Sequence, residues 1–380
     1  MTNTSSQEQK NLSADEPVGE LEPVAHFNGA MPTGVTVSHQ GRIFVNFPKW
    51  GDEVPFTVSE IRDRGDAVPY PDEDTNQTDS NDPAAALVSV QSVVVDPADR
   101  LWILDTGSAM FQPTKYGGPK LVCVDLATNK VIKKILFPQD VALPTTYLND
   151  VRFDLRRGSK GMAFITDSAQ NGPNGIIVVD LDSGVSWRRL HDHPSTKAEQ
   201  LKTFLPIVEG RPFFEYQQPG GSVKHGGAAM GADGIAISSD GSRLYYCPLG
   251  SRKLYSVGTD ALADQSLDEQ NVGATVIDEG DRGGASDGLE SDAAGYIYST
   301  NYEHNAILRR GPDGKWETVT HDPRLLWPDT LSLATDGYLY VTANQLHRQA
   351  RFDKEGRDLR HKPYTLFRIR VDAQPVLLRR

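Results

Sequence analysis

The sequence predicts an all-β protein, a six-bladed β-propeller of four-stranded antiparallel blades whose ring is closed by an N-terminal strand. Three observations indicate this fold class. A two-strand pattern recurs six times along the 380 residues, and further short apolar strands follow most copies. Alternation of apolar and polar residues with a period of two, typical of strands, runs through the copies. Radial repetition of such sheets leaves only short, protected sheet edges.

Each copy of the repeat is built in the same way. A polar residue and one spacer precede an alternating apolar strand, then come a turn rich in Asp and Gly and a second strand rich in aromatic and β-branched residues. Successive copies lie 42 to 84 residues apart, a spacing that indicates a propeller or a solenoid. The copies align on Val35, Val93, Val151, Ile235, Leu289 and Leu331.

The two ends of the chain are predicted to share the last blade. Its third strand is expected at residues 364–372, and the alternating segment 22–27, EPVAHF, has the character of the missing fourth strand. Joining the two ends would bury two sheet edges that otherwise stay exposed. We therefore expect a disordered tail over residues 1–19, one domain over 20–375, and loop insertions at about 51–83 and 193–231.

Composition excludes several classes of partner. Lys and Arg number 39 against 51 Asp and Glu, a net charge of −12, and no basic run offers a surface for nucleic acid. The longest nearly apolar stretch, residues 84–95, is far shorter than the roughly 20 residues of a membrane span. The polar, acidic N-terminus lacks the features of a secretory signal, so a cytoplasmic protein is expected. The predicted partner is a small molecule, and the sequence leaves the oligomeric state open.

A ring of oxygen-bearing side chains is predicted on the propeller axis. The first strand of each blade borders the central channel, and two positions before each aligned apolar residue stands a side chain with an oxygen atom. These residues are Thr33, Gln91, Asn149, Asp233, Asp287 and Asp329. Three carboxylates in a narrow channel need a cation or bound protons. The alternative is that Asp and Asn begin strands only as turn residues.

The donor types at these positions favour a hard cation. Oxygen ligands without Cys or His select calcium, with magnesium as the second choice. We expect Asn149, Asp233 and Asp287 to hold the metal, because Gly234 and Gly288 after the two acids allow a close approach of backbone to ligand. The other three ring residues, Thr33, Gln91 and Asp329, are expected to contact the ligand.

Loops after the second strand of each blade return to the face of the ring and are predicted to form its rim. We expect Trp50 and Tyr302 to contact a ligand there, with His225 from the insertion beside them. His304 and His347 are candidate catalytic residues together with Asp287, since His and Asp can move protons. The alternative for each histidine is a structural hydrogen-bonding role.

Several stretches carry a family resemblance. RIFVNFPKW, SVVVDPADRLWILDTG, YLNDVRFD, GIAISSDGSRLYYCPLGSRKLYSV, SDGLESDAAGYIYSTNYEHNAI and LLWPDTLSLATDGYLYVTANQLHR resemble the major royal jelly protein and Yellow family in its bacterial branch, over about residues 20–372. The resemblance implies a six-bladed propeller. The family is functionally mixed, and its insect members are linked to pigment formation, nutrition or amine binding.

More distantly, the ring is similar to that of the gluconolactonase, regucalcin and paraoxonase group. That resemblance implies a calcium ion held by an acidic residue of the first blade and by Asn or Asp of later blades. Asn149, Asp233 and Asp287 match the later ligands, and Asp287 also matches the gluconolactonase base. Thr33 stands where the first-blade Glu is expected, so one carboxylate of the group's site is missing.

Two classes of function follow from these expectations. The first is a calcium-assisted enzyme that hydrolyses a lactone or ester, or alternatively an isomerase or cyclase of a pigment-type or secondary metabolite. The second is a non-catalytic binder of a small amine or aromatic metabolite, which an acidic ring with aromatic walls would attract. A purely structural ring is the third possibility.

Overall fold

Six four-stranded antiparallel sheets are arranged as blades around one axis, which confirms the six-bladed propeller. The computed structural model describes residues 15–62, 65–76, 82–227 and 229–380, without the side chain of His225. The innermost strand of each blade contacts that of the next, and the strand of the sixth blade contacts that of the first. The ring is therefore closed around a central channel.

The strands of the first three blades, from the axis outward, are Val35–Val37, Ile43–Asn46, Val58–Ile61 and Ala67–Pro69; Val90–Val95, Arg100–Asp105, Lys120–Asp125 and Lys130–Leu136; and Leu148–Asp154, Met162–Asp167, Gly175–Asp180 and Ser186–Arg189. Those of the last three are Ala232–Ile237, Arg243–Pro248, Lys253–Gly258 and Ile277–Asp281; Leu289–Ser291, Ile297–Asn301, Ala306–Arg310 and Trp316–His321; and Pro328–Leu333, Tyr338–Ala343, Tyr364–Arg370 and Glu22–Phe27.

The N-terminal strand closes the ring as the sequence predicts. Glu22–Phe27 pairs antiparallel with Tyr364–Arg370 and forms the outer edge of the sixth blade. Pro23 is tolerated because an outermost strand has one unpaired edge. Of the tail expected over residues 1–19, the first fourteen residues lie outside the described part, whereas Val18 exchanges two backbone hydrogen bonds with His321.

The insertion expected at 51–83 is wrong in part, because two strands of the first blade, Val58–Ile61 and Ala67–Pro69, run through it. Both strands are short, and the intervening polar residues hide their alternation. Residues 63–64 and 77–81 of this segment lie outside the described residues. The segment thus completes a blade as well as forming surface loops.

Apolar cores lie between neighbouring blades. Trp102 of the second blade stacks on Phe153 of the third, with ring centroids 5.3 Å apart, and both belong to one buried cluster. Alternating side chains of each strand face the two adjacent blades, so every blade is buried on both faces. This packing fixes the angle between blades and thereby the position of each innermost strand on the axis.

Short elements decorate the blades. Two α-helices, Thr259–Ala263 and Glu269–Gly273, lie in the connection within the fourth blade. The segment 193–231 holds the hairpins Ile207–Val208 with Arg211–Pro212 and Phe214–Tyr216 with Val223–Gly226. Single turns of 3₁₀ helix occur at Ala109–Phe111, Pro194–Thr196, Leu346–Arg348 and Ala350–Phe352. In the described part of the chain, no helix has the length and apolar character to cross a membrane.

The C-terminal segment covers one mouth of the channel, called here the lower mouth. The Ala293 amide donates to Gln374 O at 2.8 Å, and the Leu155 amide donates to Leu378 O at 2.9 Å, so the segment runs across from the fifth blade to the third. Beneath it lies a cavity of about 70 Å³ that Arg152 and Glu290 line. The opposite mouth, on the side of the predicted ring residues, is called the upper mouth.

Candidate functional site

The six predicted ring residues are all buried at the axial ends of the innermost strands and together are called the axial ring. Their exposed fractions run from 0% for Thr33 to 8% for Asn149. In the second, third, fourth and sixth blades the strand register shifts at the ring residue, as in a β-bulge. A bulge re-aims a side chain, and here the shift accompanies each turn of a polar group to the axis.

Gly234 and Gly288, the glycines after two ring acids, lie against the backbone of the next blade. A Cβ atom at Gly234 would lie 2.3 Å from Asp287 O, and one at Gly288 would lie 2.3 Å from Asp329 O. The expected approach of backbone to ligand stays a prediction, whereas the contact with the neighbouring blade already requires glycine at both positions. The glycines let the backbone of the next blade approach, because the ring must be narrow at this level.

Two of the ring acids form a carboxyl pair. Asp233 and Asp287 hydrogen-bond to each other through their side chains. The Asn149 amide donates to Asp233 Oδ1 at 2.7 Å, and the Trp327 indole donates to Asp287 Oδ2 at 2.7 Å. Each carboxyl group is thus fixed by its twin and by one donor from a third blade.

Burial controls the protonation of this pair. Desolvation, and next the charge of Asp287, raises the pKa of Asp233 well above its usual value. Desolvation also raises the pKa of Asp287, to about 6, whereas the donors from Trp327 and Asp233 hold it down. Two carboxyl groups this close cannot both ionise at low cost. Within the pair, the proton is therefore favoured on Asp233 and the negative charge on Asp287.

The other ring residues are held by protein partners. Thr33 Oγ1 donates to Gln91 O at 3.2 Å, and Tyr147 donates to Gln91 Oε1 at 3.1 Å. Asp329 accepts from Asn344 at 2.6 Å, and burial followed by the charge of Asp287 raises its pKa. With Asp233 and Asp329 both shifted towards the neutral form, most of the ring's remaining charge resides on Asp287.

The donor set as arranged does not fit a calcium or magnesium ion. Among the described residues, no group of three or more His, Cys, Asp or Glu is placed to hold a metal. Asn149 presents an amide N–H to Asp233, and Trp327 occupies one oxygen of Asp287. Thr33 adds no carboxylate. Burial and the charge of Asp287 raise the pKa of Asp233, and its protonation would relieve the repulsion that a cation would otherwise relieve.

Two groups of aromatic side chains cover the upper mouth. The first, called the first aromatic arm, contains Trp50, Phe111 and Tyr147, with Phe111 stacked on Trp50 at 5.3 Å and on Tyr147 at 5.0 Å. Trp50 donates to the Tyr147 hydroxyl at 2.7 Å, and Tyr147 donates to Gln91 of the ring. The first arm therefore reaches the ring through hydrogen bonds.

The second aromatic arm consists of Tyr302, Trp327, Phe213 and Phe352. Tyr302 and Trp327 are stacked at 4.1 Å with an 8° angle between ring planes. Phe213 meets Trp327 edge-on at 5.3 Å and contacts Phe352 at 4.7 Å. Because Trp327 donates to Asp287, this arm also reaches the ring.

Strained backbone occurs in both arms. Trp327 has φ of 57° and Phe111 has φ of 55°, in the left-handed region that bulky residues rarely adopt. Each such residue costs on the order of 1–3 kcal/mol and persists only where the surroundings enforce it. Such strain is concentrated at functional sites, and here it aims the Trp327 indole at Asp287.

The structure places two of the five predicted rim residues in the aromatic arms. Trp50 and Tyr302 belong to the aromatic arms. His347 stacks on Trp327 at 5.8 Å and binds Glu209 at 2.9 Å, and so lies one layer above the ring. His304 is exposed at a turn of the fifth blade with its ring nitrogen 3.2 Å from Asn301, so the structure does not bring it to the axis. The backbone of His225 lies in the strand Val223–Gly226, and its side chain is outside the description.

Besides the cavity at the lower mouth, a cavity lies outside the aromatic arms. A cavity of about 420 Å³ is bordered by Phe213, His347 and Phe352, among others. On its wall Glu209 of the hairpin accepts hydrogen bonds from His347 and Arg348, and these donors hold the pKa of Glu209 below its usual value. Burial lowers the pKa of His347, so a neutral imidazole is favoured. These contacts tie the insertion to the loop of the sixth blade.

Residues of the site that sequence reasoning missed include Tyr147, Phe213, Trp327, Phe352 and Arg351. Trp327 and Tyr147 each lie two residues before a ring position, at Asp329 and Asn149, so the repeat alignment contained a signal for them. Phe213 and Arg351 lie in segments without a repeat equivalent. Only the convergence of loops from different blades places these two.

Fold and site together define a six-bladed β-propeller with a buried acidic ring under an aromatic cover. The chain belongs to the major royal jelly protein family, whose model matches residues 88–366, and the predicted resemblance is thereby confirmed. Protein yellow of Drosophila erecta is 28% identical over 253 residues, which are 64% of this chain and 43% of the relative. The chain thus spans less than half the length of the curated relatives that it matches.

Solved structures with the same fold include two bacterial proteins. Regucalcin from Agrobacterium tumefaciens, described as a calcium-binding protein, is 15% identical with a TM-score of 0.55, covering 94% of this chain and 98% of that one. A gluconolactonase from Xanthomonas campestris is 12% identical with a TM-score of 0.52, covering 94% and 98%. At these identities the likeness concerns the fold alone.

Proposed function

We propose that this protein is an enzyme that hydrolyses a small lactone or ester at the axial ring. One observation carries the proposal: the side chains of Asp233 and Asp287 are buried beside each other at the axis, Asn149 donates to the first and Trp327 to the second, and burial raises the pKa of both. A pair of titratable groups whose pKa values are pushed apart supplies an acid and a base at one point. The family's fold relatives include a gluconolactonase, which agrees with this reaction class.

The ionised carboxylate of Asp287 is the base in this proposal. It removes a proton from water as the water oxygen forms a bond to the carbonyl carbon of the substrate. Asp233 gives its proton to the carbonyl oxygen, so the tetrahedral intermediate carries no net charge. The C–O bond to the alcohol then breaks, and the proton held by Asp287 passes to the leaving oxygen. The intermediate's hydroxyl proton returns to Asp233, so both carboxyl groups regain their starting states.

Neighbouring groups position this pair. The Asn149 amide orients the Asp233 carboxyl group, and the Trp327 indole keeps Asp287 ionised near neutral pH because it donates to one of its oxygens. Asp287 is 6% exposed, and the proposal requires that the attacking water reach its carboxylate there. The aromatic arms exclude bulk water from the mouth, which strengthens electrostatic interactions inside.

Calcium remains a prediction for the same residues. Asn149, Asp233 and Asp287 would hold the ion if the amide turned its oxygen inward and the shared proton left. A bound cation supplies polarisation of a carbonyl group. Since the donor arrangement does not fit the ion, the proposed reaction does not depend on calcium.

A binding role is the second candidate. The stack of Tyr302 and Trp327 and the first aromatic arm provide flat apolar walls above an acidic ring, as a receptor for a small aromatic molecule requires. Isomerisation or cyclisation of such a molecule would use the same proton-transferring pair. Only product formation separates these alternatives.

The test is a panel of lactones and aryl esters, assayed near neutral pH with the wild-type protein, Asp287→Asn and Asp233→Asn. Both variants are expected to lose about 10²–10⁴-fold in kcat/KM, the usual contribution of a positioned acid or base. Asp313→Asn, on an exposed turn where the carboxylate accepts from the Lys315 amide, is the matched control and should retain full activity.

Three outcomes divide the candidates. Turnover that survives in Asp287→Asn contradicts the acid–base pair. Saturable binding of panel members without product formation supports the binding role instead of the enzyme. Turnover that needs added calcium and stops with a chelator, together with a calcium-dependent rise in Tm, supports the metal-assisted form.

A further inference from the structure

Arg351 occupies the gap between the two aromatic arms. Its guanidinium lies over the ring of Phe111 at 5.1 Å and over the ring of Phe352 at 4.6 Å. Phe111 belongs to the arm that reaches Gln91 through Tyr147, and Phe352 to the arm that reaches Asp287 through Phe213 and Trp327. A cation held by both arms lies above the mouth of the axial ring.

The charge of Arg351 is poorly compensated by the protein. Its one hydrogen bond in the described part of the chain runs from Nε to the Gln349 side chain at 3.2 Å, and no described carboxylate lies within ion-pair distance. The acid with the largest electrostatic effect on it is Glu215, which also binds Gln170 at 2.9 Å and Lys224 at 3.5 Å. Burial lowers the pKa of Arg351, with desolvation as the largest cause.

The other arginines around the cover differ from Arg351 because they are paired with carboxylates. Arg348 binds Glu209, and Arg360 binds both Asp52 and Asp358. A partly buried guanidinium without a carboxylate retains its capacity for a bidentate bond to a planar anion. Stacking on two rings restricts its orientation, so less conformational entropy is lost when an anion binds.

We propose that Arg351 is the specificity-determining residue of the site and binds a carboxylate group on the substrate. The substrate class is then a small carboxylate-bearing lactone or ester, with its carboxylate on the guanidinium edge that the two rings leave free and its reacting carbonyl at the acid pair below. The assignment of the substrate as a lactone or ester rests on the proposed function, whereas the binding of a carboxylate by Arg351 does not. It reverses the preference for cationic ligands that the net charge of −12 suggests.

The charge of the ring agrees with an anionic ligand. Asp233 and Asp329 are shifted towards their neutral forms, so Asp287 is the main negative charge beneath Arg351. A substrate carboxylate at the upper mouth meets the guanidinium first. An amine in the same place would face Arg351 with like charge, and like-charge contact disfavours a ligand.

The experiment measures binding of two probes with one skeleton, 4-hydroxyphenylacetate and tyramine, by calorimetry near neutral pH. The wild-type protein is expected to bind the carboxylate at least about tenfold more tightly than the amine. Arg351→Gln should weaken carboxylate binding by about tenfold or more, whereas Arg357→Gln, an exposed arginine of the same loop paired with Asp353, should leave it unchanged.

Several results would overturn the inference. One is that tyramine binds as tightly as 4-hydroxyphenylacetate. Another is that 4-hydroxyphenylacetate shows no saturable binding. Unchanged affinity in a folded Arg351→Gln protein is the third. If that variant does not fold, Arg351→Lys keeps the charge without the bidentate fork and should bind the carboxylate more weakly than wild type, with equal affinity contradicting the proposal.

The binding assay is independent of the proposed reaction. Asp287→Asn should abolish turnover yet bind 4-hydroxyphenylacetate at least as tightly as wild type, because it removes a negative charge below the ligand. If the wild-type protein turns over no member of the panel but shows Arg351-dependent binding, the reaction alone is rejected. Retained turnover without Arg351 dependence rejects the carboxylate site alone.

Discussion

At the scale of single residues, Trp327 connects the cover of the site to its chemistry. Its left-handed backbone turns the indole so that one face stacks on Tyr302 while Nε1 donates to Asp287. A hydrogen bond to a carboxylate stabilises the ionised form and is worth about 1.5–3 kcal/mol. The same side chain thus closes the mouth and sets the pKa of the proposed base.

Removing that donor should change the pH profile of the enzyme. Trp327→Phe keeps an aromatic ring on Tyr302 but loses the indole N–H, so the pKa of Asp287 should rise from about 6. The acidic limb of the kcat/KM profile should move upward by on the order of one pH unit, equivalent to about 1.4 kcal/mol. Trp316→Phe, on the outer strand of the fifth blade, is the control. An acidic limb that stays in place would contradict the assigned role of the indole.

At the scale of elements, the shared sixth blade joins the two ends of the chain. Glu22–Phe27 places Phe27 in the core, 5% exposed and edge-on to Phe47 at 5.5 Å, while His26 points outward to Thr365. The alternation in EPVAHF therefore has a direct structural meaning. Without this strand, Tyr364–Arg370 would present an unpaired edge.

Truncation of the core side chain in this strand should weaken ring closure. Phe27→Ala is expected to lower the free energy of unfolding by about 3–5 kcal/mol, the usual cost of removing a buried Phe. His26→Ala alters only an exposed hydrogen bond and should stay within about 0.5 kcal/mol. Chemical denaturation of both variants gives the comparison, and equal midpoints for the two variants would count against a stabilising closure.

At the scale of the whole molecule, the acidic ring reduces stability at neutral pH. The folded protein raises the pKa of Asp287 from 3.8 to about 6, so below its unfolded pKa the protonated form contributes its full stabilisation. As pH rises from about 4 to 6 the unfolded chain releases this proton before the folded one does. The contribution is lost through that window and is absent above it.

Measuring the free energy of unfolding between about pH 4 and pH 7 tests whether ionisation of Asp287 destabilises the fold. In Asp287→Asn the side-chain oxygen can still accept from Trp327 while its N–H₂ donates to Asp233, as the protonated pair does. The variant should therefore gain up to about 3 kcal/mol relative to wild type between about pH 4 and pH 7, measured in the presence of a chelator. Lower stability of the variant at both pH values would show that the ionised ring stabilises the fold.

Much of the architecture could be predicted because a propeller repeats local patterns. Each innermost strand carries its own alternation and its own polar residue at a fixed offset, so Gln91, Asn149 and Asp233 could be assigned to the axis one blade at a time. The segment 22–27 could be paired with the last blade for the same reason. Cytoplasmic location and the small-molecule partner stay predictions that the fold does not test.

The sequence by itself determined the number of blades, the closing strand and the identity of the six ring residues, since these depend on spacing along the chain. Only the tertiary structure decided that Asp233 and Asp287 form one buried pair, that Gly234 and Gly288 admit neighbouring backbone, and that His304 lies away from the axis. Only the folded chain places Arg351 between the two aromatic arms. These features depend on the angle between blades and on burial, which bring together residues from distant segments and set their charges.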